Sequence, residues 1–145
     1  MRSRYPARDV FWAWLVAAVF SGAPSTVIFV VTGQDLWLPV RAVGSMLLSA
    51  DAPASMLFLS AALVHCGVSL FWIVVISSVV PPRHAPLLAI AASTAIAVVD
   101  LRVIAPLFFP DVAALAFWPQ FADHLMWGAL VGFTLKLRAA RHCAN

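Results

Sequence analysis

Residues 54–80 read ASMLFLSAALVHCGVSLFWIVVISSVV and contain no Asp, Glu, Lys or Arg. An α-helix rises about 1.5 Å per residue, so a segment of this length can cross the hydrocarbon core of a bilayer, which is about 30 Å thick. The segment is followed by Pro81 and Pro82, which cannot continue a helix. The stretch therefore predicts a membrane-spanning helix that carries one imidazole, His65, in its interior.

The whole chain has the composition of a membrane protein. Of its 145 residues, 63% are hydrophobic and 10% are charged, and the mean hydropathy is +0.98. In a typical soluble domain about a quarter of the residues are charged. A protein surface with as few charges as this chain provides would aggregate in water. Disorder and low-complexity repeats are excluded by the same composition. The lipid bilayer is therefore the predicted main partner of the chain.

Three further apolar segments have the length of a membrane span. They run from about residue 10 to 31, from 87 to 105 and from 119 to 137. No long linker and no internal repeat divides the chain. We therefore predict a single membrane domain, residues 1–145, that folds as an all-α, antiparallel bundle of four transmembrane helices.

The connection between the first two spans, residues 32–53, is long and includes LWLPVRAVGSMLLSA. Its apolar content predicts a short helix that lies in the membrane interface or caps the bundle, rather than a free loop. The start of the chain also has features of a signal peptide, because the small residues SGAPS follow its first apolar run. The apolar run resumes directly afterwards, which favours a retained first span that is kinked by Gly22 and Pro24.

The charged residues predict the orientation of the bundle. Seven of the nine basic residues flank the spans on one side, namely Arg2, Arg4, Arg8, Arg83, Lys136, Arg138 and Arg141. The positive-inside rule makes this side cytoplasmic, with both chain termini on it. The overall pattern and the stretch DHLMWGALVG at residues 123–132 resemble small bacterial inner-membrane proteins with four helices. This resemblance implies a location in the bacterial inner membrane.

The basic residues and the cysteines exclude two other interpretations. The isoelectric point near 9.5 does not indicate nucleic-acid binding, because the basic residues lie at chain ends and in short loops. Cys66 is predicted at mid-membrane and Cys143 in the terminal tail, so the two do not form a disulfide framework. We interpret Cys66 as a small apolar packing residue.

Every predicted span carries polar side chains at a similar depth. They are Ser21 and Ser25 on the first span, His65 on the second, Asp100 on the third, and Asp123 and His124 on the fourth. All lie about 16–22 Å from the cytoplasmic end of their span. Exposure of such groups to hydrocarbon costs several kcal/mol, so they are expected to converge in the bundle interior. His124 shares a helix face with the G-x-x-x-G pattern of Gly128 and Gly132, which indicates a helix contact.

The converging groups predict a ligand- or proton-handling site. Imidazoles and carboxylates are suitable ligands for Zn, Fe or Mn, which makes His65, His124, Asp100 and Asp123 candidate metal ligands. A histidine beside an aspartate can also relay protons. Ser21 and Ser25 would complete the hydrogen bonding. We expect Arg102 to extend outward or to pair with Asp123 or Asp111. The predicted function is therefore an intramembrane His/Asp site that binds a metal ion, a proton or a small ligand.

Other functions stay open from the sequence. His65 and His124 could hold a b-type haem from opposing helices. The chain could instead be a non-catalytic accessory or assembly subunit of a larger membrane complex, or a homo-oligomer, with the polar groups serving helix packing. The sequence shows no nucleophile–base spacing and no phosphate-binding loop, so it assigns no catalytic residues and leaves enzymatic activity undecided.

Overall fold

The computed structural model describes residues 4–144, and the side chains of residues 4–142. Arg2 and Cys143, which the sequence analysis placed at the cytoplasmic ends, lie outside the described residues and side chains. The regular elements in the described part of the chain are all helical. They are α1 (Ala7–Phe20), α2 (Ala23–Thr32), α3 (Trp37–Gly44), α4 (Ala54–Val79), a 3₁₀ turn (Pro82–His84), α5 (Ala85–Val99), a π-helical segment (Asp100–Ile104), α6 (Ala105–Phe108), α7 (Pro110–Ala113) and α8 (Phe117–Ala144).

Three continuous stretches are long and apolar enough to span a membrane, and they indicate an integral membrane protein. They are Ala7–Thr32, Ala54–Val79 and Pro82–Phe108, and they coincide with the first three predicted spans. Helix α8 has 28 residues and covers the fourth predicted span. It is less apolar than the others because Gln120, Asp123 and His124 lie near its start and basic residues near its end. Composition alone therefore does not mark α8 as a span.

The first span is broken between α1 and α2, as the sequence predicted. Ser21 and Gly22 form a turn, and Gly22 leaves the helical conformation with ψ near 3°. Pro24 follows within the first turn of α2, where its missing N–H is tolerated but cannot extend the ladder of α1. Helix α2 ends at Gly33, which has a φ of +67°, a conformation that glycine adopts without strain.

The connection between the first two long stretches contains the short helix α3, also as predicted. Helix α3 packs against the start of α4, where Ser60 Oγ donates a hydrogen bond of 2.8 Å to Gly44 O. A Cβ atom on Gly44 would lie only 2.5 Å from Leu57 O. Gly44 therefore allows the two backbones to approach, and α3 is fixed to α4 rather than free.

Helices α5 and α8 run antiparallel and approach closely through the two glycines of the predicted motif. A Cβ on Gly128 would lie 2.8 Å from Ala89 O, and one on Gly132 would lie 2.7 Å from Ala85 O. Ala85, Ala89 and Ser93 on the facing side of α5 are fully buried. The small side chains on both helices thus serve contact within this chain.

The start of α1 lies beside the ends of α4 and α8. Arg4 N–H donates to Ser77 O at 3.1 Å, and the indole N–H of Trp14 donates to Cys66 O at 3.1 Å. The core at this end includes Tyr5, Val10, Ala13, Ile73, Ile76, Val80, Val131 and Leu135. The described N-terminal and C-terminal segments therefore lie at the same end of the molecule.

Candidate functional site

The break between α1 and α2 frees two backbone groups, and side chains from other helices bind them. In an uninterrupted helix the Ala18 carbonyl would accept from the N–H four residues later. Here it lies 3.0 Å from His65 Nε2 of α4, which donates to it. The N–H of Ser25, in the first turn of α2, donates to Asp123 Oδ1 of α8 at 2.9 Å. Asp123 and His65 thus provide hydrogen-bond partners for backbone groups on both sides of the break.

This arrangement explains why polar side chains occur here in otherwise apolar helices. A backbone group without a partner in an apolar environment costs several kcal/mol, and broken spans are tolerated only where other groups satisfy them. Ser21 and Ser25 are both buried at the break, and Ser25 Oγ donates to Gly22 O at 3.2 Å. His65 and Asp123 therefore stabilise the fold by binding backbone groups at the break.

The second pair in the layer, His124 and Asp100, is arranged differently. His124 Nδ1 lies 2.8 Å from Gln120 O, and because a carbonyl only accepts, Nδ1 carries a proton. The other ring nitrogen, Nε2, faces Asp100 Oδ2 at 3.7 Å. A lone pair on Nε2 facing a carboxylate would be repulsive, so the pair needs one further proton, on Nε2 or on the carboxyl group. Both side chains are partly exposed, at 29% and 28%.

Asp123 links the two pairs. It interacts electrostatically with both His65 and His124. The structure therefore places the four titratable residues of the predicted site in one region but not in one cluster. His65 lies at an exposed position and binds the Ala18 carbonyl, so the predicted convergence in the interior does not hold for it. Carboxylates and imidazoles alternate in the order Asp100, His124, Asp123 and His65, which connects α8 to α4 and to the π-helical segment. This row of four residues is called the acid–base row below.

The π-helical segment positions Asp100. The Ala105 N–H donates to Asp100 O, five residues back, so the ladder is one residue wider than in an α-helix. Pro106 follows directly and has no N–H to donate, which is a common reason for a local departure from α-helical geometry. Such π turns occur frequently at functional sites.

Arg102 extends outward rather than pairing with an aspartate. Its guanidinium group lies over the Phe117 ring, 4.1 Å from the ring centroid, and the residue is exposed. Within the described residues it forms no ion pair with Asp123 or Asp111. Asp111 instead accepts a hydrogen bond of 2.8 Å from Ser45 Oγ. The outward position was one of the two outcomes predicted for Arg102.

One residue near the row was missed in the sequence. The side-chain nitrogen of Gln120 is buried and has no hydrogen-bond partner among the described residues. A buried donor of this kind is uncommon in proteins and marks a polar environment. Its spacing of four residues from His124 places both on one face of α8, which is the signal that the sequence offered.

The residues present do not fit a metal centre. Among the residues that the structure describes, no three His, Cys, Asp or Glu side chains come close enough to hold an ion together. The haem alternative requires free Nε2 atoms on two facing histidines, but His65 Nε2 donates to the Ala18 carbonyl. The predicted metal ligands His65, His124, Asp100 and Asp123 thus bind backbone groups or one another.

Models of known protein families, curated proteins and solved structures were compared with this chain, and none matches it. The functional argument therefore depends on the geometry of the acid–base row.

Proposed function

We propose that this protein binds and releases protons in the membrane through the His124–Asp100 pair. The observation that carries the proposal is the orientation of His124, whose Nδ1 proton is held by Gln120 O while Nε2 faces a carboxylate. The Nε2–Oδ2 distance of 3.7 Å is longer than a hydrogen bond, so exchange of one proton between the imidazole and the carboxyl group takes a small side-chain movement, with neither backbone moving.

The proposed topology has four spans, with α8 as the fourth, in a bacterial inner membrane. Helix α8 supports this topology because it packs antiparallel along α5 through Gly128 and Gly132. The basic residues at its end, together with Arg8 at the start of α1, support a cytoplasmic position of both termini under the positive-inside rule. The acid–base row then lies in the outer half of the bilayer.

Proton binding at the row is coupled to the break in the first span. Asp123 accepts the Ser25 N–H most strongly as a carboxylate, and protonation weakens that hydrogen bond. His124 is the sequence neighbour of Asp123 and interacts with it electrostatically. A proton that arrives at His124 therefore changes how firmly α2 is held, which makes the protein a pH-responsive membrane component.

The test is a histidine titration by NMR in lipid nanodiscs, where each of the four histidines gives its own signal. We expect Asp100→Asn to move the titration midpoint of His124 and to leave that of His84, in the loop before α5, unchanged. A matched variant, His84→Gln, should remove one signal and leave the His124 titration as in the wild type. An unchanged His124 midpoint in Asp100→Asn would contradict the proposal, because the two groups would then not share a proton.

A second candidate function is that of a non-catalytic accessory or assembly subunit. One observation favours it: His65 lies at an exposed position on α4 although it carries an imidazole. A partner helix that covers this face would shield the imidazole from lipid. Cross-linking from a cysteine that replaces Leu63, also exposed on α4, distinguishes the two functions. Cross-linking of one defined membrane partner at this position supports the accessory function, whereas the absence of any cross-linked membrane protein in cells that contain the variant contradicts it.

A further inference from the structure

A second polar cluster lies at the other end of the molecule, where the first turn of α1 meets the last turns of α8. A pocket of about 150 Å³ opens there. Its lining residues are Arg8, Asp9, Arg138, Arg141 and His142. Nothing in the acid–base row contributes to it. We refer to it as the terminal pocket.

Asp9 is the buried residue of the terminal pocket and holds two of the other lining side chains. Its side chain is fully buried, at 0% exposure, and it accepts hydrogen bonds from Arg138 Nε at 2.6 Å and from His142 Nε2 at 2.8 Å. A buried carboxylate that accepts hydrogen bonds from two side chains holds both in fixed positions. Because Arg138 uses Nε for Asp9, its terminal nitrogens are free of that contact. The Trp12 ring, 5.8 Å from the guanidinium carbon, adds a second contact to Arg138.

The terminal pocket has an excess of positive charge. Three arginines and one aspartate give a net charge of +2 when His142 is neutral, that is +3 and −1. Arg8 and Arg141 are exposed and form no ion pair within the described part of the chain. The one internal carboxylate is therefore already used, and two guanidinium groups are available for an external anion.

The size and chemistry of the terminal pocket suit a phosphate group. Arginine binds phosphate in bidentate geometry, and several arginines around one small cavity are typical of phosphate recognition. A water molecule takes up about 30 Å³ of liquid volume, so a cavity of about 150 Å³ has room for a phosphate group. Backbone donors are not needed, since the arginine side chains alone offer several N–H groups.

The terminal pocket also lies next to the lipid-facing surface of the first span. Phe11 and Trp12, one turn into α1, are 50% and 43% exposed. Aromatic side chains at this level are typical of the membrane interface. Basic pockets between transmembrane helices on the cytoplasmic side recognise anionic headgroups. A phosphate in the pocket would thus be flanked by an apolar surface along which acyl chains can lie.

We propose that the terminal pocket binds a phosphate group, presented by the headgroup of an anionic phospholipid of the adjacent leaflet. The site is separate from the His124–Asp100 pair and does not depend on proton binding there. Arg8 and Arg141 contact the phosphate directly, while Arg138 is positioned for it by Asp9. Free phosphate has the same chemistry, so the experiment includes both sources.

The test uses the full chain in nanodiscs of phosphatidylcholine, with and without phosphatidylglycerol, and native mass spectrometry of the lipid that stays bound. We expect retention of phosphatidylglycerol by the wild type. The double variant Arg8→Gln/Arg141→Gln should bind it about 30-fold more weakly, on the order of fivefold for each arginine near the membrane surface. Both side chains are exposed and form no ion pair with any residue that the structure describes, so the variant is expected to fold.

A matched control distinguishes a defined site from diffuse charge. Arg83→Gln removes an exposed arginine that belongs to the same charged side but not to the terminal pocket. Equal losses in Arg83→Gln and in the double variant would overturn the proposal, as would equal retention by the double variant and the wild type. In a second arm, inorganic phosphate is titrated into protein in pure phosphatidylcholine nanodiscs. Binding there as tight as lipid binding overturns the lipid source, and weak or absent binding supports it.

Discussion

Replacement of Asp123 by Ala tests the central structural claim, that a side chain of α8 closes the break in the first span. The substitution leaves the Ser25 N–H without its acceptor, which lies 2.9 Å away in the structure. Ser25 is 7% exposed, so water does not replace the carboxylate freely. A hydrogen bond to a charged group contributes about 1.5–3 kcal/mol, and a carboxylate at a helix N-terminus contributes about 0.3–1 kcal/mol more.

We therefore expect Asp123→Ala to lower the free energy of unfolding by about 2–4 kcal/mol. The amide exchange rate of Ser25 should rise roughly 30-fold or more, since 1.4 kcal/mol corresponds to a factor of ten. Asp123→Asn keeps an oxygen acceptor and should lose about 1 kcal/mol. Unfolding is measured in mixed detergent micelles by circular dichroism, and amide exchange is measured by NMR in the same micelles.

Asp51→Ala is the matched control, because Asp51 is exposed in the turn before α4. It should change the unfolding free energy by less than about 0.5 kcal/mol. The reasoning would be refuted if Asp123→Ala matched this control in stability and left the Ser25 amide exchange as in the wild type.

Five further substitutions, at four positions, have outcomes that follow from the described contacts. Gly132→Ala places a Cβ against the α5 backbone and should lower the free energy of unfolding by about 1–3 kcal/mol. The Cβ of Gly67→Ala meets no atom within 4 Å, so this substitution should stabilise α4 by about 0.5–1 kcal/mol. Thermal unfolding followed by circular dichroism distinguishes the destabilised variant from the stabilised one. Ser60→Ala removes the hydrogen bond to Gly44 O and should cost about 1 kcal/mol, with faster proteolysis of the α3 region as the local readout. His65→Phe should cost about 1–3 kcal/mol through the Ala18 carbonyl, and His65→Gln, which retains a donor, should recover most of that loss in the same unfolding assay.

The sequence predicted the helical elements well because their signals are local. Apolar runs and the prolines that bound them located the three long stretches, and Gly22 with Pro24 predicted the break in the first. Counting residues from the helix ends also indicated that the polar side chains lie at one depth. This succeeded because helix rise is constant, so sequence distance converts directly to height.

The partners of those side chains could not be predicted in the same way. His65 and Asp123 bind backbone groups of the first span. Every residue has the same backbone groups, so residue types do not indicate which of them binds a side chain. The contact between Asp100 and His124 joins the π-helical segment to α8, which no single segment encodes. Asp9 lies only one residue before the predicted first span, and only the fold places it against Arg138.

The contact between Asp123 and the Ser25 N–H also has a consequence for biosynthesis. In the proposed topology the first span enters the membrane long before α8 leaves the ribosome. The Ser25 N–H at the break therefore has no carboxylate partner until α8 is inserted. Helix α8 is the least apolar of the long helices. Insertion of such a segment is favoured where polar groups of helices already in the membrane can pair with its polar side chains. The first and last segments therefore complete each other late in synthesis, and a chain that ends before Asp123 should be held by chaperones or degraded rather than fold.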